Sequence, residues 1–299
     1  MRHAIWIWVL RGAAILVLGP IAGMLANSMR SVDGSGHATM LLSSSIVRGV
    51  FVVLAIGFMA QLIGIVATKV LSLREGVLNA GFVLAWGAWG GGRVGEALRS
   101  DPGVGSLVRL AIEGGLVFGL VAFMLWMMTK AAKKGDVRSD VLRFDGSLIS
   151  TLRAEPTMMA AVLGVSVIAA LGASWLQVTS DLTGQSVWGG FVGGLLAGLV
   201  CGLMLHHSDQ KNVKRDPGAR VVSVVPAILG VSLAGLVAPI VVLVVPGSGN
   251  VIGSIASGDA PGWMMMTPMA WSAGALIGVP AGYGWVESSM QRHQSAAHA

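Results

Sequence analysis

Eight stretches of this chain are each apolar over roughly the length a helix needs to cross a bilayer, and no other feature restricts the fold as much. A hydrocarbon core about 30 Å thick takes about 20 residues of helix, because each residue advances the axis by about 1.5 Å. The stretches cover residues 4–26, 49–68, 76–92, 110–129, 157–178, 187–205, 221–245 and 262–285. Inside lipid a peptide group finds no water, so each stretch must close its hydrogen bonds within itself as a helix. The expected fold is therefore all-α, a polytopic transmembrane helical bundle of about eight spans, with residues 1–299 as a single integral membrane domain.

Composition agrees with that solvent. Charged residues make up 11% of the chain and hydrophobic ones 54%, with a mean hydropathy of +0.76. A soluble chain carries about 25% charged residues, so the polar surface here falls short of what a water-soluble globule needs, and the lipid bilayer is the expected partner. A net charge of +6 does not point to nucleic acid, because the basic residues lie in short segments between apolar runs. A single cysteine, Cys201, excludes an intramolecular disulfide and a cysteine-rich metal site.

Lysine and arginine set the orientation, since basic residues near a span are retained on the cytoplasmic side. With both termini inside, fourteen of the twenty basic residues fall in inner segments: Arg2, Lys69, Arg74, Lys130, Lys133, Lys134, Arg138, Arg143, Arg153, Lys211, Lys214, Arg215, Arg220 and Arg292. Five fall outside, at Arg30, Arg48, Arg93, Arg99 and Arg109. The expectation is a multi-pass protein of the cell membrane, amino and carboxyl ends inside (N-in/C-in). Nine tryptophans lie near proposed span ends, where an amphipathic indole is at home; Trp271 lies inside one. Reading 1–26 as a cleaved secretory signal is disfavoured by Met24 before Ala26 and by Arg11 within the apolar region.

Two segments depart from this plain pattern. The third stretch is short, contains Asn79 and ends in Gly90, Gly91 and Gly92, as an interrupted or re-entrant segment would. The cytoplasmic connector 130–156 spaces Val137, Val141, Phe144, Leu148 and Leu152 at helical intervals among arginines, which suits a helix resting on anionic headgroups.

The polar residues within the spans are the candidates for function, because ionisable and amide groups are costly there. Arg11 lies two turns into the first span, from where its guanidinium is expected to snorkel to the headgroups. Glu113 follows Arg109 by four residues, the spacing of an ion pair near the outer surface. Gln61 and Asn79 are neutral candidates for lining a path. The sixth span carries Gly190, Gly194, Gly198 and Gly202 in steps of four, a ridge on which another helix of this chain or of a partner can pack closely. Prolines at positions 20, 226, 239, 268 and 280 fall within spans, where they favour kinks. A comparison of the two halves gives only the short echo of Leu18–Gly19–Pro20 in Gly278–Val279–Pro280.

Other chemistries lack their residues. Met264, Met265, Met266 and Met269 read as flexible apolar filler rather than as a copper site, and His206 and His207 read as a solvated helix end, so no metal is expected. No phosphate-binding Gly-x-x-x-x-Gly-Lys loop, zinc-binding His-Glu-x-x-His pair or Gly-x-Ser-x-Gly elbow occurs. No cofactor is expected and no catalytic residue is assigned. The leading reading is a permease or channel-like protein for a neutral or hydrophobic small-molecule solute. Its alternative is a non-catalytic scaffold that forms a homo-oligomer or joins a membrane-protein partner through the glycine-rich span.

Overall fold

The computed structural model describes residues 2–32, 34, 38–92, 94–132, 156–179, 182–215, 224–244, 248–257 and 261–297. These residues form helices and connectors without a strand, apart from one isolated bridge between Ser31 and Ser43. The helices are α1 (Arg2–Gly12), which passes through a π-helical stretch (Ala13–Leu18) into α2 (Gly19–Asn27), then α3 (Ile46–Val70), α4 (Leu73–Gly90), α5 (Val94–Ser100) and α6 (Val104–Ala131). After the connector come α7 (Pro156–Gln177), α8 (Thr183–Arg215), α9 (Val225–Val244), α10 (Ser248–Ser257), a short 3-10 turn (Gly262–Met265) and α11 (Pro268–Ala297). Beyond Ala132 the expected connector lies outside the described residues.

Six segments are long and apolar enough to cross a membrane: Ala4–Asn27, Ile46–Val70, Val104–Ala131, Pro156–Gln177, Thr183–Leu205 and Val225–Val244. This is a multi-pass integral membrane protein. The two remaining long helices, α4 and α11, are less apolar, and they occupy the middle. α4 packs against α2, α3 and α11; α11 packs against α4, α8 and α9. Every residue from Met264 to Leu276 is buried, Trp271 completely. A helix walled in by protein needs close contact rather than solubility in lipid, so glycine, alanine and serine replace the large aliphatics. The outer helices carry those instead, along with exposed Trp8, Trp175 and Trp188, while the exposed Trp89 and Trp285 lie toward the ends of α4 and α11.

Glycine sets the closest approach in the bundle. A Cβ placed on Gly190 or Gly194 of α8 would fall on the carbonyls of Ala270 and Gly274, and one on Gly198 would fall on that of Val279. From the other side Gly274, Gly278 and Gly282 of α11 meet the backbone of α8 in the same way. At Gly202 the neighbour is the Val286 side chain.

The two halves share one topology. Long, long, long, short, long describes both α1/α2–α3–α4–α5–α6 and α7–α8–α9–α10–α11. Exchanging the halves turns the packing pair α4–α11 into α9–α6 and α2–α4 into α7–α9, and it leaves α5–α10 unchanged. The sequence echo does not belong to this repeat, because it matches α2 with α11, which are not equivalent in it.

Three local signals set helix starts. Ser45 and Ser72 accept the N–H groups of Arg48 and Glu75, and Thr267 accepts that of Ala270, so each hydroxyl caps a first turn. Pro268 is therefore the first residue of α11, where a missing N–H costs nothing, and not a kink inside a span. Likewise α4 is an unbroken helix and not the interrupted segment its glycines suggested. Gly91 and Gly92 end it, Gly92 at φ +83°.

Candidate functional site

The four polar span residues sort into two clusters near opposite ends of the bundle, with one residue left over. Glu113 stands in α6 about 13 Å from the start of that helix, given 1.5 Å per residue, and its side chain is buried. The segment between α2 and α3 folds back into the bundle to meet it. Ser31 bridges to Ser43, and the Ser44 N–H and the Ser43 hydroxyl both donate to the Arg30 carbonyl, which pinches the base of the segment. Beyond that base, Ala38, Thr39, Met40 and Leu42 are buried, with the Ala38 N–H on the Gly91 carbonyl. Gly49 leaves room for them, since a Cβ there would strike the Met40 carbonyl.

The Thr39 hydroxyl donates to Glu113 Oε2 at 2.6 Å, and the Leu41 N–H donates to the same oxygen at 2.9 Å. Both donors are neutral and both come from this one segment. Arg109 is not among them, contrary to its helical spacing; its Nη1 lies 3.9 Å from Asp101 Oδ2, both side chains about half exposed. Keeping the guanidinium at the wet rim avoids desolvating it, while neutral donors reach Glu113 at smaller cost. Beside Glu113 lies a cavity of about 20 Å³ that Thr39, Thr267, Gly87, Ala88 and Met269 help to line. That is room for a single water.

The second cluster joins α1 to α4. Arg11 does not snorkel freely. Its Nε and Nη2 donate to the two oxygens of Glu75 at 3.0 and 2.6 Å, a fork-to-fork pair with the side chains 32% and 13% exposed. One turn on, Asn79 is fully buried and its Nδ2 donates to the Glu75 carbonyl at 2.7 Å; its Oδ1 has no partner. The π-helical stretch begins two residues after Arg11. A π turn advances less angle per residue than an α turn, so both Arg11 before it and Gly19 and Gly23 after it face α4. Gly19 and Gly23 are packed against Trp86 there.

Gln61 belongs to neither cluster. It is 8% exposed, and neither its amide nitrogen nor its oxygen has a partner. The hydroxyls of Ser232 and Ser272 and the indole N–H of Trp271 are also buried without one. Thr68, Ser166 and Ser174, by contrast, bond carbonyls of their own helices.

Three residues that the structure brings to these clusters escape a reading by span alone: Thr39, Glu75 and Thr267. Glu75 had a signal in Ser72-x-x-Glu75, a capping signature that starts the helix before the apolar stretch does. Thr267 had one in Thr-Pro. Thr39 had none, because its segment reads as an ordinary polar loop. Among the described residues no three His, Cys, Asp or Glu side chains gather as a metal site would require. Comparison of the chain with family models, curated proteins and solved structures gives no match.

Proposed function

We propose that the chain is a permease-like protein for a small neutral or apolar solute, standing in a conformation closed at its outer end. The cytoplasmic bias of lysine and arginine places both termini inside, hence Glu113 toward the outer face and the Arg11–Glu75 pair toward the inner one. One observation carries the reading. A buried span carboxylate takes its hydrogen bonds from a segment between helices, so it clasps a plug that a passive anchor would not require. Two topologically equivalent halves supply the usual frame for alternating access, with the central helices α4, α6, α9 and α11 at the join between them. Scarce span charge suits a neutral solute.

The scaffold alternative needs the Gly190–Gly202 face free for a partner. Because α11 covers that face, the permease reading is preferred. Proteoliposome swelling tests it, with glycerol, urea and erythritol as probe solutes. Solute-selective swelling above that of protein-free vesicles, changed by Glu113→Gln, is the expected result. Swelling no different from that of empty vesicles for every probe would return the chain to the scaffold reading.

A further inference from the structure

We infer that the cavity beside Glu113 is a binding site for one alkali-metal cation. Glu113 is a buried carboxyl with no cationic side chain bonded to it among the described residues, and Arg109, one turn before it on α6, is turned to Asp101. Neutral donors lower the cost of burying such a charge without cancelling it. The other walls add to the negative field. Gly87, Ala88 and Gly91, at the end of α4, line the cavity; the Gly87 and Gly91 carbonyls each accept one N–H, from Gly91 and Ala38, and keep a second lone pair, and they stand at the negative end of the helix dipole.

The donor set selects the class of ion. Thr39 gives its proton to Glu113, which leaves its oxygen lone pairs free; Thr267 accepts one N–H and keeps another lone pair. With the carboxylate and the α4 carbonyls these are hard oxygen ligands. Calcium takes six to eight oxygens, and magnesium demands a full octahedron. A single carboxylate cannot balance a divalent charge, and walls made partly of Met29, Met40 and Met269 offer too few oxygens to complete either shell. One carboxylate and one water-sized space match a single bare monovalent ion. Binding of this ion does not require that the protein transport anything.

The test uses the full chain in mild detergent, exchanged into choline chloride. Sodium replaces choline at constant ionic strength while the thermal midpoint and the binding of radiolabelled sodium are followed. The site predicts saturable one-to-one binding and a rising midpoint. Thr267→Val, which leaves the Thr39 and Leu41 bonds to Glu113 in place, should weaken binding about tenfold, as loss of a supporting ligand does. Glu113→Gln should abolish it; if that variant does not fold, Thr267→Val decides alone. Equal midpoints in choline and sodium, a response to silver or to protons in place of sodium, or unchanged affinity in Thr267→Val would each overturn the assignment. Failure of solute swelling with sodium binding intact would remove the permease reading and leave the site standing.

Discussion

The two ends of the bundle each hold a carboxylate within its helical region, and they hold it differently. Glu75 faces a guanidinium across two helices, charge against charge in a two-point fork. Glu113 faces only a hydroxyl and a main-chain N–H from one irregular segment, beside a small cavity. The first arrangement is a bolt, since separating it strands two ions. The second is a latch: when the segment lifts away, its own donors meet water and only Glu113 is left to find a new partner. A pair matched in charge thus ties α1 to α4, while the Glu113 bonds tie only the segment between α2 and α3 to α6.

The comparison presumes a common rigid frame, and the largest effect is expected there. Gly194→Leu drives a side chain into the Gly274 carbonyl of α11. Backbone cannot yield as a rotamer can, so the loss should be about 3 kcal/mol or more, seen as failure to recover a monodisperse protein. Normal folding in that variant would mean that α8 and α11 are not locked, and that the two ends need not be compared on one frame.

Next in size is the bolt. Arg11→Ala leaves the Glu75 carboxylate without its partner and should cost about 3 kcal/mol, measured as a lowered thermal midpoint. The double variant Arg11→Met, Glu75→Leu removes both charges and should recover most of it. If the double variant is as unstable as the single one, Arg11 contributes through packing beside the π-helical stretch and the contrast between the ends weakens.

Glu113→Ala should behave otherwise. It removes the acceptor of the Thr39 and Leu41 bonds, for a cost nearer 2 kcal/mol, but the freed donors can escape that cost by moving out to water. The signature is therefore access. Met40→Cys in a Cys201→Ser background should react with an impermeant maleimide about tenfold faster when Glu113 is absent, as expected for a local opening eased by about 1.4 kcal/mol. A large drop in midpoint without faster labelling would make Glu113 a second bolt and erase the distinction.

How much of this was open to a reader of the sequence follows from distance along the chain. Apolar length marks the spans, and a rare charge marks Arg11 and Glu113 as unusual, because both depend on the residue and its near neighbours. The partners do not. Glu75 is 64 positions from Arg11, and Thr39 is 74 from Glu113. The nearest opposite charge on the same helix, Arg109, misdirects because i,i+4 spacing ignores where water is. The stretch 262–285 read as one span because hydropathy does not register that Pro268 opens a helix deep in the fold. The Gly274, Gly278, Gly282 spacing was as legible as the ridge it meets, but it lies in a span whose glycines lower its hydropathy and so its prominence. The repeat is visible only in the packing, since equivalent helices need share no residues to share neighbours.

The smallest effect concerns the residue that neither end claims. Gln61 buries an amide with four hydrogen-bonding positions and uses none of them. As inert packing it is a defect, and Gln61→Leu, close in volume, should stabilise by about 1 kcal/mol because it removes an unsatisfied polar group. As part of a solute path it should be different: the same substitution would raise the midpoint slightly and yet reduce swelling with urea, which an amide can bond, more than with a solute that makes fewer hydrogen bonds. A stabilised protein with unchanged selectivity assigns Gln61 to packing and confines the polar machinery to the two ends. A stabilised protein with lost urea preference places a third polar station on α3 and makes latch and bolt the two ends of one route.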